Sequence, residues 1–137
     1  MADLTITATS VVPDPGAKIS QNIAAVNITA GQSVALSSTD SKKVGLYDAD
    51  GSGEALILNG VALNSANAGQ AINVMWDGVL TIGATVAVGT LYFGSDTPGG
   101  IRPAADLNSG DSVGLLGIAI STTKIALNIW NTGVVKA

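Results

Sequence analysis

Apolar residues recur along this chain in short runs that are rich in Val, Ile, Leu and Thr. Clusters of Gly, Asn, Asp, Ser and Pro separate these runs at a spacing typical of all-β sandwiches and barrels. The run 55–63 is long enough for a helix, but Gly60 within it favours a strand. The pattern predicts a compact all-β barrel or sandwich with strands over 22–29, 33–37, 43–48, 55–63, 70–76, 79–87, 90–94, 112–120 and 123–130.

The second half of the chain repeats landmarks of the first half. Gly31 and Gly89 each precede a short apolar run, and each copy closes on a tryptophan followed by a turn, Trp76 in the first and Trp130 in the second. Landmarks repeated at a nearly constant spacing indicate duplicated structural units. The prediction is a single β domain that spans residues 26–137 and contains two pseudo-repeated units, 26–80 and 84–135.

The first 25 residues lie outside this duplication. Residues 3–12 are rich in Thr, Val and Ile with partial alternation, which predicts an extended strand. Pro13 and Pro15 then interrupt it, because proline has no N–H to donate to a strand ladder. The segment 1–25 is therefore predicted either as an N-terminal arm that lies across a neighbouring subunit, or as the first strand or frayed end of the domain itself.

Aromatic residues make up only 4% of the chain, and Trp76 and Trp130 occupy matching ends of the two units. Exposed, such rings would form stacking platforms for sugars or bases, whereas buried rings would fill a core or an interface. Matched positions in a duplication favour packing. Trp76, Trp130 and Tyr92, together with Pro13 and Pro15, are therefore predicted to make packing or interface contacts.

Charged residues make up 12% of the chain, against a usual share of about 25%. A surface so poor in charge is expected to face other protein chains over much of its area. The net charge is −4 and the six basic residues are scattered, so the clustered basic stripe that binds nucleic acid is missing. No apolar run approaches the ~20 residues of a membrane-spanning helix, and the N-terminus lacks a secretory signal pattern. We expect synthesis in a cytoplasm and no contact with nucleic acid or membrane.

The chain contains neither cysteine nor histidine. Their absence removes thiol chemistry together with the commonest general base and metal ligand. The segment 48–54 resembles a calcium loop in composition, but its glycine and acidic residues fall at the wrong positions for an EF-hand. A polar turn is the favoured interpretation, since Asp and Gly are common turn residues. We expect no cofactor and no metal site.

Catalytic arrangements that need no histidine are also weakly supported. Acidic residues that might act as a catalytic pair all lie in predicted turns, where carboxylates have local roles: Asp48, Asp50, Glu54, Asp77, Asp106 and Asp111. A serine nucleophile with a lysine base has two candidate locations, neither within a recognisable motif: Ser41 beside Lys42 and Lys43, and Ser121 near Lys124. No enzymatic activity is expected.

Short segments in both units carry a family resemblance, which covers about residues 26–135: 30–36, 44–51, 58–63, 68–74, 89–95, 98–101 and 116–119. In these segments the chain resembles the small capsid decoration (cement) proteins of tailed bacteriophages. The resemblance implies a compact β domain, commonly a homotrimer, on the outer capsid surface of the virion. It implies binding to the major capsid protein at threefold or quasi-threefold positions and stabilisation of the expanded bacteriophage head. The family is structural, so no catalytic residues are carried over.

Two other functions stay open on sequence grounds. A carbohydrate-binding β module would use Trp76, Trp130 or Tyr92 as platforms for sugar rings. A tail or fibre component of the same virus would share the β-rich, charge-poor composition. Glycan binding would distinguish the first, and the position of the protein on virus particles would distinguish the second.

Overall fold

The computed structural model describes residues 3–37 and 42–137, apart from the side chain of Glu54. Within those ranges the chain is almost entirely β, which confirms the predicted fold class. Short 3₁₀ helices lie at Ala8–Ser10, Gly53–Leu56 and Ala104–Asp106. The strands are β1 (Val12–Pro13), β2 (Lys18–Ala24), β3 (Ser33–Leu36), β4 (Lys43–Leu46), β5 (Leu58–Ala62), β6 (Ala71–Thr81), β7 (Leu91–Gly94), β8 (Ile101–Pro103), β9 (Ser112–Ala119) and β10 (Lys124–Val135).

The first half of the chain forms a closed five-stranded barrel. Its strands pair in the order β2-β4-β3-β5-β6, and β2 pairs again with β6 to complete the ring. The β2–β4 pairing is parallel, whereas the others in the ring are antiparallel. Alternate side chains point inward, as closure of a small barrel requires. The barrel interior is a small apolar core whose buried members include Ala24, Val34, Val44, Ala62, Ile72 and Val74.

The second half forms a four-stranded sheet that continues from β6 in the order β10-β9-β7-β8. Strand β6 belongs to both halves, because its first part pairs with β2 and β5 and its last part pairs with β10 and β1. Gly78, with a φ of 112°, lies where these two parts meet. The sequence pattern predicts separate strands over 70–76 and 79–87 with a turn between them. That prediction is wrong, because the Asp77-Gly78 pair continues one strand.

The N-terminal segment, residues 3–13, packs on this same domain. The Leu4 N–H donates to the Ile101 carbonyl of β8 at 2.7 Å, and Val12 and Pro13 pair with β6. Leu4 and Ile6 pack against the main core. The segment thus lies between β8 and β6 and contacts both of them, although most of it is not a strand. A strand over 3–12 does not form, because Val12 alone of these residues pairs in the sheet.

The main core lies between the inner face of the second sheet and the outer face of the barrel. Leu58, Val61 and Met75 contribute from the barrel, and Leu116 and Ile125 contribute from the second sheet. Strands β3, β5 and β6 therefore bury apolar side chains on both faces, and this agrees with the uninterrupted apolar runs at 34–36 in β3 and 74–76 in β6.

Tyr47 joins the two halves. Its side chain is fully buried, and its hydroxyl donates to the Ser112 carbonyl at 3.2 Å. Gly94 and Gly114 lie against the ring, where a Cβ atom at either position would overlap it. Burial raises the pKa of the Tyr47 phenol.

The two halves share a strand order and a hydrogen-bond pattern. In the first, β3 pairs with β4 and β5, and β5 pairs with β6; in the second, β7 pairs with β8 and β9, and β9 pairs with β10. The Gly31 N–H donates to Ala62 and the Gly89 N–H donates to Ala119, both at 2.8 Å. Strands β5 and β9 each carry one extra residue at the equivalent place in the ladder.

The pairing register corrects one predicted equivalence. Val61 pairs with Met75, and the equivalent Ile118 pairs with Ala126. Met75 therefore corresponds to Ala126, and the next residue, Trp76, corresponds to Leu127. Trp130 lies three residues further along β10, so the two tryptophans do not occupy matching positions.

Candidate functional site

The outer face of the second sheet carries exposed apolar side chains. Leu91 pairs with Ile118, and Ile118 pairs with Ala126, so the three form a row on one face. Trp130 pairs with Leu115 in a second row. Ile118 is 39% exposed and Trp130 is 64% exposed. We call this surface the outer sheet face, defined by Val79, Leu91, Leu115, Ile118, Ala126 and Trp130.

The equivalent face of the first half is buried. Val61 and Met75, which correspond to Ile118 and Ala126, are fully covered by the second sheet. The same side of the same strand pattern therefore packs against a β-sheet in one half and faces solvent in the other. An apolar face without such a cover is a candidate interaction surface.

The predicted packing residues fall in different environments. Tyr92 is buried in the main core, and its hydroxyl accepts from the Ala87 N–H at 3.0 Å. Trp76 is 42% exposed and Trp130 is more so, which excludes a core role for either indole. Pro13 is half-buried where it pairs with Leu80, and Pro15 is exposed in the following turn.

A groove opens beside Trp76. Its volume is about 420 Å³, and it is lined by residues of β2, β5, β6 and β10: Ser20, Leu58, Asn59, Trp76, Asp77, Asn128 and Ile129. The Lys18 ammonium lies 5.5 Å from the centre of the Trp76 ring and 3.9 Å from the Asp77 carboxylate. In residues 127–130 apolar and other side chains alternate, and Leu127 and Ile129 contact the main core. This alternation could have shown from the sequence that Asn128 points away from the core. No comparable pattern marks Asn59 as a groove residue.

A buried arginine lies at the end of the second sheet. Arg102 is 4% exposed, and its guanidinium contacts Asp3 at 2.7 Å and Asp96 at 2.8 Å. Asp111 lies 4.0 Å away. Burial disfavours the charged guanidinium, but the hydrogen bond to Asp3 and the surrounding carboxylates outweigh it and raise the pKa of Arg102. This network joins the N-terminal segment to β8, and residues so distant in the chain give no local sequence signal.

Two acidic candidates have pKa values raised mainly by burial. For Asp111, burial raises the pKa against the opposing hydrogen bond from the Asn108 N–H. For Asp48, burial and then the neighbouring Asp50 raise the pKa. Asp48 also accepts a 3.3 Å hydrogen bond from the Asp50 N–H, as in a polar turn. No group of acidic side chains in the described part of the chain is arranged to hold a metal ion.

The remaining residues that the sequence offered as catalytic candidates either make structural contacts or lie outside the described residues. The Ser121 hydroxyl accepts from the Lys124 N–H at 3.1 Å, while the Lys124 ammonium pairs with Asp14 at 2.8 Å. That ammonium is therefore engaged in an ion pair. Ser41 and the Glu54 side chain lie outside the described residues. Asp106 contributes its carbonyl oxygen to Arg102 at 3.3 Å.

Comparison with known proteins gave no match to a family model or to a curated protein. The family resemblance therefore rests on the residues quoted for it. Across residues 3–37 and 42–137, no helix combines the length and apolar character needed to cross a membrane. The outer sheet face and the groove beside Trp76 are two candidate interaction surfaces.

Proposed function

We propose that this protein is a non-enzymatic capsid decoration protein that binds the outer surface of an expanded bacteriophage head. In this proposal it assembles as a homotrimer, occupies threefold or quasi-threefold positions of the major capsid protein and stabilises the shell. It is made in the host cytoplasm and ends in the virion.

The observation that carries the proposal is the outer sheet face. It is apolar, it lies on a regular sheet, and its counterpart in the first half is buried against another sheet. A face of this kind suits docking onto a second protein surface, because burying Trp and Ile side chains supplies most of the favourable free energy of association.

Composition adds support. With 12% charged residues, the protein has few groups whose desolvation would oppose close contact with other chains. A closed trimer would present three copies of the outer sheet face at once. Such multivalent attachment converts modest single-site affinities into firm binding on a symmetric shell.

The direct test adds purified protein to undecorated expanded heads and measures occupancy by electron microscopy and heat resistance by DNA release. We expect saturable binding at threefold positions and release at a higher temperature. Absence of both binding and stabilisation would overturn the proposal, and binding only to tails or fibres would replace it with a tail function.

A matched pair of variants tests the surface itself. Ile118→Lys places a charge on the outer sheet face, and Val26→Lys places one on an exposed loop of the barrel, where Val26 is 44% exposed. We expect Ile118→Lys to lower capsid occupancy by about tenfold or more and Val26→Lys to leave it unchanged. Light scattering of both variants shows whether the same face also holds the trimer together. Equal occupancy for both would exclude the outer sheet face as the docking surface.

A further inference from the structure

The groove beside Trp76 forms where β6 changes its neighbour. Met75 pairs with Val61 of β5, whereas Asp77, two residues later, pairs with Asn128 of β10. Trp76 lies between these two pairings. Strands β5 and β10 diverge from β6 at this point, and the space between them is the groove.

Strands β5 and β10 are joined beside the groove by a side-chain amide that makes the two hydrogen bonds a neighbouring strand would make. The Asn131 amide of β10 accepts from the Leu58 N–H at 2.7 Å and donates to the Leu58 carbonyl at 2.9 Å. These two hydrogen bonds fix the separation of β5 and β10 without closing it. The groove is therefore a preformed feature of the fold, as small-molecule sites usually are, and its volume lies within the ~300–1,000 Å³ range of such sites.

The lining combines one aromatic surface with several neutral hydrogen-bonding groups. Asn59 and Asn128 each bring an amide that both donates and accepts, and Ser20 brings a hydroxyl. The Asp77 carboxylate accepts hydrogen bonds, and its charge is offset by Lys18 at 3.9 Å. The negative face of an indole attracts the weakly positive C–H groups of a sugar ring.

We propose that this groove binds a neutral hexose unit of an oligosaccharide, with the sugar stacked on the exposed part of Trp76 and its hydroxyls bonded to Asn59, Asp77 and Asn128. A phosphate or nucleic acid would need a surplus of positive charge, whereas Lys18, the cation next to the ring, is matched by Asp77. A purely apolar ligand would displace water from the Asn59 and Asn128 amides without replacing its hydrogen bonds, which costs binding free energy. Asp77 and Asn128 pair on the same side of the sheet as Val79 and Ala126, so the groove adjoins the outer sheet face. Sugar binding is argued from the groove's own lining and does not require capsid docking.

The experiment uses Trp130→Phe protein, in which Trp76 is the single tryptophan and reports directly on the groove. Its fluorescence is titrated with neutral gluco-, galacto- and N-acetylglucosamine oligosaccharides, and the parent protein is screened on a glycan array. We expect a saturable fluorescence change with at least one neutral series. Absence of binding to every neutral glycan would overturn the proposal, and so would stronger binding to acidic glycans.

Site variants in the parent background locate the binding. Trp76→Ala is expected to lower affinity for the glycan that binds by about tenfold or more, and Asn128→Ala by several-fold. Asn128 is exposed, so its variant tests the groove even where Trp76→Ala disturbs folding. Lys136→Ala, at the exposed C-terminus, is the control and should bind normally. Unchanged binding in Asn128→Ala and Trp76→Ala would overturn the assignment, whereas loss of glycan binding with normal capsid occupancy would separate it from the docking function.

Discussion

The two halves of this protein share a strand order but are completed in different ways. The first half closes on itself, because β2 pairs with both β4 and β6. The second half is completed by the N-terminal segment, which bonds to β8 at Ile101 and to β6 at Leu80 and Thr81. The outer face of the first half is covered by the second, whereas the outer sheet face exposes Leu91, Ile118 and Trp130 to solvent. The first half therefore completes its own ring of backbone hydrogen bonds and needs the second sheet only to cover its outer apolar face. The second half, by contrast, draws on residues 4–13 for its backbone hydrogen bonds.

Replacing Arg102 should have the largest effect on the difference in stability between the two halves. Arg102→Met leaves Asp3, Asp96 and Asp111 clustered without their counter-charge, and removing one partner of a buried ion pair costs about 3–5 kcal/mol. Urea unfolding should show this loss of stability, and hydrogen exchange should show that β7–β10 lose protection before the barrel. Lys43→Met, at an exposed position of β4 in the first half, is the control and should change stability by less than about 0.5 kcal/mol. Equal loss of protection in both halves would contradict the unequal dependence.

A matched pair of glycines tests the contact between the halves. Gly94→Ala would drive a methyl group into the Tyr47 ring, which is enclosed on all sides, and we expect a loss of about 3 kcal/mol. Gly45→Ala, in the strand beside β3, meets nothing within 4 Å, so its unfolding free energy should stay near that of the parent. Thermal and urea unfolding of the two variants give the comparison. A neutral Gly94→Ala would mean that Tyr47 can move away at little cost.

Equivalent positions on the two outer faces should respond unequally to the same change. Val61→Thr buries a hydroxyl in the main core and should cost about 1–2 kcal/mol, while Ile118→Thr, on the outer sheet face, should cost less than about 0.5 kcal/mol in the isolated chain. Urea unfolding at low protein concentration measures both. A large effect of Ile118→Thr that grows with protein concentration would instead place this residue in contact with a second copy.

The smallest expected effect is the pH dependence of stability that Asp111 gives to the second half. The pKa of Asp111 is raised from 3.8 by burial, so the folded protein binds its proton more tightly than the unfolded chain does. Its ionisation therefore lowers stability as the pH rises from 3.8 through the folded-state pKa. Asp111→Asn should gain stability relative to the parent as the pH rises from 3.5 to 7, measured by urea unfolding. A stability difference between Asp111→Asn and the parent that does not change with pH would refute the burial argument.

Apolar periodicity predicts most of the strands because each buried strand needs core-facing side chains. It misses β8, since Ile101-Arg102-Pro103 is short and contains a proline and a charge. It also misplaces the N-terminal strand. Residues 3–11 are rich in strand-forming residues, but Leu4 makes one backbone hydrogen bond to Ile101 of β8 and Thr7 makes one to Gly83 in a loop. Pattern matching aligns Trp76 with Trp130, whereas the pairing register aligns Trp76 with Leu127.

The candidate sites were harder to predict than the fold. A groove that depends on β6 exchanging β5 for β10, and an ion cluster that joins residue 3 to residue 102, arise from contacts between distant parts of the chain. No local pattern encodes such contacts. The outer sheet face is partly visible in the sequence, since Leu91 and Ile118 belong to apolar runs, but their exposure depends on what the other half covers.

The bond between Leu4 and Ile101 has a consequence for synthesis on the ribosome. Every strand of the barrel has emerged once β6 is complete, so that part can fold while translation continues. The backbone N–H of Leu4 has no partner until Ile101 of β8 follows it nearly a hundred residues later. The segment around Leu4 is therefore among the last parts of the domain to settle, although Val12 and Pro13 can pair with β6 well before that.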